Sequence, residues 1–301
     1  MSLIMSHASG LATLIDMTNG AETHPVETSV PGLFVIGGNV PTHQLADLYR
    51  PMIGFVLQGS KRMSIGERSV VVTGPAYFLL PMHLPVTATV HPDANGNPYR
   101  SIGLDLDQSI LSALVRDVVD GGIQTPRHFA ACTMDEEIND ALLRLMRLTE
   151  KPAEIAALAS AFKREIFYRV LSGPQGDSLR QLALQESNLS RIERTVQWMR
   201  KNFDSPMEVG DVAREAGMAV TTFHRQFKRA TGLSPVQFQK QLRLMEARNL
   251  IAYEGLAVST AAYRVGYESA SQFNREYSRF FGTSPSKHGS SIRTLERMRE
   301  L

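Results

Sequence analysis

The 301-residue chain has very little cysteine and no long apolar run. Its single cysteine, Cys132, excludes an internal disulfide and fits a reducing compartment. No apolar run approaches the ~20 residues that a membrane-spanning helix needs, so we expect no membrane partner. The segment from Met1 to Gly20 lacks a basic patch followed by an apolar core, which predicts no secretory signal. These absences predict a cytoplasmic location.

Net charge is also small, at +2, but it is distributed unevenly. The part from Asn188 to Leu301 has 18 Lys and Arg against 11 Asp and Glu, a net charge of +7. The part from Met1 to Ser187 has 14 against 19, a net charge of −5. A basic part joined to an acidic part is typical of a polyanion-binding module attached to a domain with another task.

One unit occurs twice between Met207 and Pro285, at an offset of 49 to 50 positions. Each copy predicts an apolar helix, a turn at a glycine, and a second helix with aromatic residues four positions apart. The glycines are Gly217 and Gly266, and the aromatic pairs are Phe223 with Phe227 and Phe273 with Tyr277. We predict helix-turn-helix motifs at 208–230 and 258–281, joined by a linker helix that ends near Ala252.

Local signals mark where these helices begin. Ser205, Pro206 and Glu208 form a capping pattern that predicts the start of the first motif. Ser234 and Gln237 form a capping box that predicts the start of the linker helix. Ser269 is placed to cap the second helix of the second motif.

Polar and cationic side chains cover the outer arc of the second helix in each motif. Such a helix enters the major groove of DNA, where Arg reads guanine and Asn or Gln reads adenine. The predicted DNA-binding residues are Thr221, Thr222, His224, Arg225, Lys228, Arg229, Gln272, Asn274, Arg275 and Arg279. The predicted partner is therefore double-stranded DNA.

The last third of the chain resembles the AraC/XylS-type transcriptional regulators. The resemblance is carried by Arg243-Leu244, Ala247-Arg248, Leu250, Ala261-Ala262, Val265-Gly266-Tyr267, Phe273 and Phe280 to Pro285. It implies two helix-turn-helix units that read successive major grooves on one face of DNA. By position, it implies that the base-facing residues are Thr221, His224, Arg225, Gln272 and Arg275. RNA polymerase is a candidate partner of such a regulator.

The first half of the chain predicts short strands followed by helices. The strand candidates are Leu33–Ile36, Ile53–Leu57, Met63–Ile65, Ser69–Val72, Tyr77–Leu80, Val86–Val90 and Ile102–Leu106. They suggest a small antiparallel barrel or sandwich. Two adjacent amphipathic helices then predict an antiparallel pair, and Phe167, Tyr168 and Leu171 extend the apolar arc of the second one toward a homodimer contact.

Part of this half resembles the cupin-like amino-terminal domain of one branch of the same family, through Tyr49-Arg50-Pro51, Val56 to Lys61 and Leu84-Pro85-Val86. The resemblance implies a small β-barrel, dimerising helices and a small-molecule effector, for which His43, His83 and Cys132 are the candidate contacts. The expected fold class is α+β with two domains. The expected segments are an arm at 1–30, a cupin-like domain at 31–172, a linker at 173–188 and a DNA-binding domain at 189–301. The arm is expected either to contain a short helix near Leu11–Met17 or to stay mobile.

Two other functions compete with a regulator. A cupin-type metal enzyme would need a His-x-His pair, but His43, His83 and His91 stand singly, so we expect no metal, cofactor or catalytic residue. An RNA-binding or protein-binding module would expose aromatic side chains for stacking, whereas the aromatic pairs here are spaced to face inward.

Overall fold

The computed structural model describes residues 2–21, 24–38, 45–118, 129–184 and 187–288. Contacts divide the chain into two compact units, of which the first comprises most of the chain up to Ser190 and the second comprises Arg191–Leu301 with two short segments, Gln44–Leu48 and Pro85–Thr87. The first unit contains the larger β-sheet and most of the smaller one. The second contains the helices that follow Arg191, together with the two short segments, which come from the smaller sheet. The expected α+β class with two domains is therefore confirmed at this level.

Short strands in the described part of the chain form two sheets. They are β1 Val26–Glu27, β2 Leu33–Gly38, β3 Leu45–Tyr49, β4 Met52–Gln58, β5 Ser60–Ile65, β6 Arg68–Thr73, β7 Ala76–Leu80, β8 Leu84–His91, β9 Tyr99–Asp105 and β10 Ala131–Thr133. The larger sheet has the order β1-β2-β9-β4-β7-β10 and is antiparallel throughout. The smaller sheet has the order β3-β8-β5-β6.

The closed barrel implied by the cupin resemblance is not what the described strands form. Their hydrogen-bonded order breaks into two sheets, so the sandwich alternative describes the architecture better. All seven predicted strands are present. The missed strands, β1, β3 and β10, are two to five residues long and lack a clear alternating pattern.

Two glycines of the larger sheet leave room for aromatic rings to pack directly on its backbone. Gly54 on β4 pairs with Gly103 on β9, and Phe78 and Phe34 extend the same row on either side. A Cβ at Gly54 would lie 2.2 Å from the Phe78 ring, and one at Gly103 would lie 2.1 Å from the Phe34 ring. The two rings therefore lie over backbone that has no side chain.

Helices complete the first unit, and they are α1 Ser2–Met17, α2 Gln108–Asp117, α3 Glu136–Arg147, α4 Pro152–Ser172 and α5 Gly176–Ala183. A 3-10 turn, Leu148–Glu150, joins α3 to α4. Ion pairs of 2.5 Å link Arg144 to Glu165 and Glu137 to Arg169, so the predicted antiparallel pair is present. No described helix could cross a membrane.

Three segments of this unit were the subject of specific expectations. The segment expected as an arm contains α1, which includes the short helix expected near Leu11–Met17 and packs against α3 so closely that a Cβ at Gly10 would lie 2.8 Å from the Asn139 side chain. The segment expected as a linker contains α5, whose Leu179 and Leu182 are buried. Phe167 and Leu171 are buried within the unit, so of the three residues expected at a dimer contact Tyr168 alone is exposed.

The second unit contains α6 Asn188–Lys201, α7 Val209–Glu215, α8 Val220–Thr231, α9 Pro235–Ala252, α10 Val258–Arg264 and α11 Ala270–Phe281. Helices α7 and α8 form the first helix-turn-helix motif, α10 and α11 form the second, and α9 is the predicted linker helix. The extra residue of the second copy lies in its turn, because five residues separate α10 from α11 and four separate α7 from α8.

Most of the predicted caps are present. Ser234 and Gln237 form the complete capping box of α9, and Ser269 accepts a bond from the backbone of Gln272. The pattern at Ser205 was wrong, because α7 begins at Val209 without a side-chain cap. The Ser205 carbonyl instead accepts hydrogen bonds from side chains of α9, which holds this segment outside the helix.

Candidate nucleic-acid interface

The aromatic pairs of both motifs are buried. Phe223, Phe227, Phe273 and Tyr277 have no exposed surface. Ring centroids are 5.4 Å apart in each pair, so the two copies use the same internal contact. Fixing this face inward determines which residues of α8 and α11 face solvent, because a helix repeats every 3.6 residues. The predicted inward orientation is confirmed.

The outer faces of α8 and α11 carry most of the predicted DNA-binding residues. The exposed ones are Thr221, His224, Arg225, Lys228, Arg229, Gln272, Asn274, Arg275 and Arg279. Thr222 is half-buried. Nine of the ten residues are therefore accessible to a ligand of these two helices.

Two arginines occupy equivalent places in the two motifs. Arg225 and Arg229 on α8 correspond to Arg275 and Arg279 on α11 at the repeat offset of 50. Arg225 and Arg275 lie near the centre of each exposed arc, opposite the aromatic pair. Each motif thus presents an arginine fork from the same position, although other residues of the two faces differ.

Arg243 on α9 connects the turn of the second motif to the segment after α6. Its Nε donates to the Phe203 carbonyl at 2.7 Å, and its Nη1 donates to the Gly266 carbonyl at 2.8 Å. Its Nη2 donates to the carbonyls of Asp204 at 3.3 Å and Ser205 at 3.1 Å. Burial lowers the pKa of Arg243, although the side chain stays a cation with all these acceptors around it.

A second polar cluster surrounds Glu276 on α11. Its Oε1 accepts from Lys240 Nζ of α9 at 3.0 Å and from Gln272 Nε2 at 3.3 Å, and its Oε2 accepts from the Tyr267 hydroxyl at 2.8 Å. Burial opposes ionisation, but these three hydrogen bonds outweigh it and lower the pKa of Glu276. The carboxylate therefore links the linker helix to Gln272, one of the predicted base-reading residues.

The same cluster borders a hollow of about 280 Å³ between α9 and the second motif. Lys240, Arg243, Tyr267, Gln272 and Glu276 all line it. Arg243 and Glu276 are already hydrogen-bonded to other residues that line the hollow, Gly266 and Tyr267. These groups therefore mainly stabilise one another.

His288 ends the second copy as Phe238 ends the first, at an offset of 50. Phe238 packs edge-on against Phe227 at 5.4 Å. His288 instead forms a hydrogen bond of 3.1 Å between its Nδ1 and the Tyr277 hydroxyl. The centroids of the two rings are 6.0 Å apart. Burial, and to a lesser extent the Arg248 charge, lowers the pKa of His288.

The candidate effector contacts are not brought together among the described residues. His83 lies in the loop between β7 and β8, within electrostatic reach of Asp105. Cys132 is buried on β10 opposite Tyr77. His43 lies outside the described residues. No group of three His, Cys, Asp or Glu side chains within the described ranges has the arrangement of a metal site.

Sequence reasoning assigned no contacts to Lys240, Arg243, Glu276 and His288. His288 had a usable signal, since it continues the repeat beyond the segment first recognised. Glu276 stands four positions after Gln272, which predicts contact on one helix. The contacts of Lys240 and Arg243 reach residues 23 to 40 positions away, and no local pattern indicates them.

Two family models match the chain. The AraC-type transcriptional regulator N-terminus matches residues 29–178, and a helix-turn-helix domain matches residues 212–290. Among curated proteins, the HTH-type transcriptional activator RhaS of Escherichia coli O1:K1 / APEC is 30% identical over 178 residues, which is 58% of this chain. The matched part spans 61% of the length of that relative.

Solved structures of ToxT from Vibrio cholerae share the fold. One gives a TM-score of 0.58 at 13% identity and covers 85% of this chain and 96% of that one. Another, of ToxT from strain O395 bound to (E)-4-(8-methylnaphthalen-1-yl)but-3-enoic acid, gives 0.56 at 13% identity and covers 87% and 98%. A third, of ToxT from strain SCE256 bound to an unsaturated fatty acid, gives 0.54 at 12% identity and covers 87% and 96%.

Proposed function

Because the chain belongs to the AraC-type transcriptional regulators, we propose that it is a sequence-specific regulator that binds double-stranded DNA. The observation that carries this proposal is the pair of equivalent helices, α8 and α11. Each buries its aromatic pair and exposes two arginines at matching positions. A protein that stacked single-stranded RNA would need those aromatic rings on its surface.

We assign different tasks to the exposed residues. Arg225 and Arg275, near the centre of each arc, read bases, and an arginine fork suits guanine O6 and N7. Thr221, His224 and Gln272 read neighbouring bases. The remaining predicted contacts bind phosphate and sugar, and they are Thr222, Lys228, Arg229, Asn274 and Arg279. Phosphate contacts make affinity fall as salt concentration rises.

Selection of bound DNA from a random pool, using the full chain, supplies the specific site for the test. Arg225→Ala should then weaken binding to that site by about 1–3 kcal/mol and relax the preference at one position. Arg214 on α7 is the control, because its side chain is 78% exposed but lies outside the reading helix. An equal loss of affinity on random DNA would assign Arg225 to the phosphates instead.

We also propose that the first unit binds a small-molecule effector that changes the DNA-binding state. Such a ligand acts only through its different affinity for the two states. Support comes from the match of this unit to the regulator amino terminus and from the ligand-bound ToxT structures. An activator would contact RNA polymerase as well, and transcription reconstituted with and without candidate effectors distinguishes activation from repression.

A homodimer is the proposed assembly, and the first half of α4 is the proposed contact. This half exposes Ala156, Ala157 and Ala161, with Ile155 and Leu158 half-buried beside them. Ala157→Glu should convert a dimer into a monomer in sedimentation experiments. A wild-type chain that is monomeric at micromolar concentration while still binding its selected DNA would contradict the proposal.

A further inference from the structure

A lysine side chain is buried between rings of the smaller and the larger sheet. Lys61 lies on the same face of β5 as Met63 and Ile65, and all three are buried. Arg62 lies on the opposite face and is exposed. This alternation directs Lys61 toward the larger sheet. Lys61 is only 3% exposed. An ammonium group is almost never buried to this extent unless it has an ionic partner.

The partner that Lys61 would require is missing from its described surroundings. Its Nζ lies 4.8 Å from the centroid of the Tyr49 ring and 5.5 Å from that of the Phe78 ring. No carboxylate of the described residues forms an ion pair with it, and burial lowers its pKa. Aromatic faces attract a cation, but they accept no conventional hydrogen bond from its three N–H groups.

A second buried donor, the Tyr99 hydroxyl, interacts electrostatically with this lysine. Tyr99 on β9 is 2% exposed, and its hydroxyl has no hydrogen-bond partner among the described residues. The Ser101 hydroxyl on the same face of β9 is bonded to the Ile36 carbonyl at 3.3 Å. Burial raises the pKa of Tyr99, so the phenol keeps its proton and can donate it to an acceptor. A buried polar group left without a partner costs about 1–3 kcal/mol.

The Lys61 ammonium and the Tyr99 hydroxyl both need a hydrogen-bond acceptor. Both Lys61 and Tyr99 offer hydrogens, and Lys61 also offers positive charge. What would satisfy them together is an acceptor with negative charge, and a carboxylate has two oxygens that can each accept more than one hydrogen bond. Aromatic rings lie beyond these groups, because Phe78 and Phe34 cover the glycine row of the larger sheet. The Arg50 guanidinium lies 4.7 Å from the centroid of the Phe34 ring.

We propose that Lys61 and Tyr99 form the anion-binding end of the effector site, and that the effector is a small organic acid with an apolar body. This inference rests on the proposed effector function of the first unit and names the chemical class of its ligand. Lys61 binds the carboxylate as its counter-ion, Tyr99 donates a hydrogen bond to it, and the aromatic rings contact the apolar body.

Binding of matched acids and amides to the full chain tests the proposal. The probes are octanoate and 4-phenylbutanoate with their primary amides, measured by calorimetry. We expect each acid that binds to bind at least roughly 10-fold more tightly than its amide, because a charge-assisted bond is lost in the amide. Lys61→Met should weaken acid binding by roughly 10- to 100-fold and leave amide binding unchanged. Tyr99→Phe should weaken acid binding by roughly 10-fold.

Arg62→Met is the matched control, since it removes a cation from the opposite face of the same strand and should leave binding unchanged. Lys61→Gln provides a second variant, and near-ultraviolet circular dichroism checks that both Lys61 variants are folded. Equal binding of acids to wild-type and Lys61→Met chains would overturn the proposal, as would binding of the amides alone or of no probe. In those cases intact binding to the selected DNA would leave the regulator function standing.

Discussion

The turn glycines of the two motifs should differ sharply in their tolerance of alanine. Gly217 has a φ of +64° and Gly266 a φ of +85°, both in the region that residues with a Cβ rarely adopt. This conformation alone costs a non-glycine residue about 1–2 kcal/mol. On that ground both substitutions destabilise the second unit by a similar amount.

The space around the two glycines is what differs. A Cβ at Gly266 would lie 2.1 Å from the Asp204 carbonyl oxygen and 3.0 Å from Arg243 Cζ. The Asp204 carbonyl cannot move freely, because Arg243 bonds to it and to the Gly266 carbonyl. At Gly217 the contact is the flexible tip of Arg191, at 3.4 Å. Overpacking adds about 1–3 kcal/mol, so Gly266→Ala should cost about 2–5 kcal/mol and Gly217→Ala about 1–2 kcal/mol.

Urea unfolding of the full chain measures the two costs. Trp198 is the single tryptophan and lies on α6, so its fluorescence reports on the second unit. The Gly266→Ala transition should begin at a clearly lower urea concentration than that of Gly217→Ala. Equal costs would show that the segment around Asp204 yields to the added methyl group, and that Arg243 does not hold it as tightly as the hydrogen bonds suggest.

Three further substitutions test separate features. Glu276→Gln removes the charge that orients Gln272, so pool selection should return a broader base preference in one half of the site, with unchanged affinity for random DNA. An unchanged preference would make Glu276 a purely structural residue. Burial lowers the pKa of His288 below its ordinary 6.5, so its folded form favours the neutral ring. The stability it contributes is therefore complete above about pH 6.5 and is lost as pH falls below that value. His288→Phe should remove this pH dependence in the fluorescence assay, and persistence of the same dependence would assign it to another group. Gly54→Ala places a methyl group against the Phe78 ring and should cost about 1–3 kcal/mol in thermal unfolding, unless the ring can turn aside.

The helices of the second unit were predictable because their signals are local. Apolar periodicity located α7 to α11, and positive-φ glycines marked the turns. The linker helix begins at Pro235 and ends at Ala252 as predicted, since a complete capping box defines its start. The seven predicted strands of the first unit were identified from alternation and turn residues in the same way.

What sequence alone did not predict depends on contacts between distant residues. Ser205 does not cap a helix, because its carbonyl accepts hydrogen bonds from two side chains of α9. These are Gln239 and Arg243. The predicted linker forms α5 because other helices of the first unit cover its apolar side. Lys61 was noted only as the last residue of the Val56 to Lys61 segment that resembles the cupin-like domain. Its burial depends on the larger sheet, whose Phe78 ring centroid lies 5.5 Å from the lysine Nζ.

The two motifs share a fold but are held by different chemistry. At the repeat offset, Glu276 replaces Gln226, and His288 replaces Phe238. The second motif thus gains an ionic link from Glu276 to Lys240 on the linker helix, and a polar end in place of an aromatic one. Charged and hydrogen-bonded contacts respond to pH and salt, whereas the buried Phe238 contact does not. We therefore expect the base preference of the second motif to change with solution conditions before that of the first.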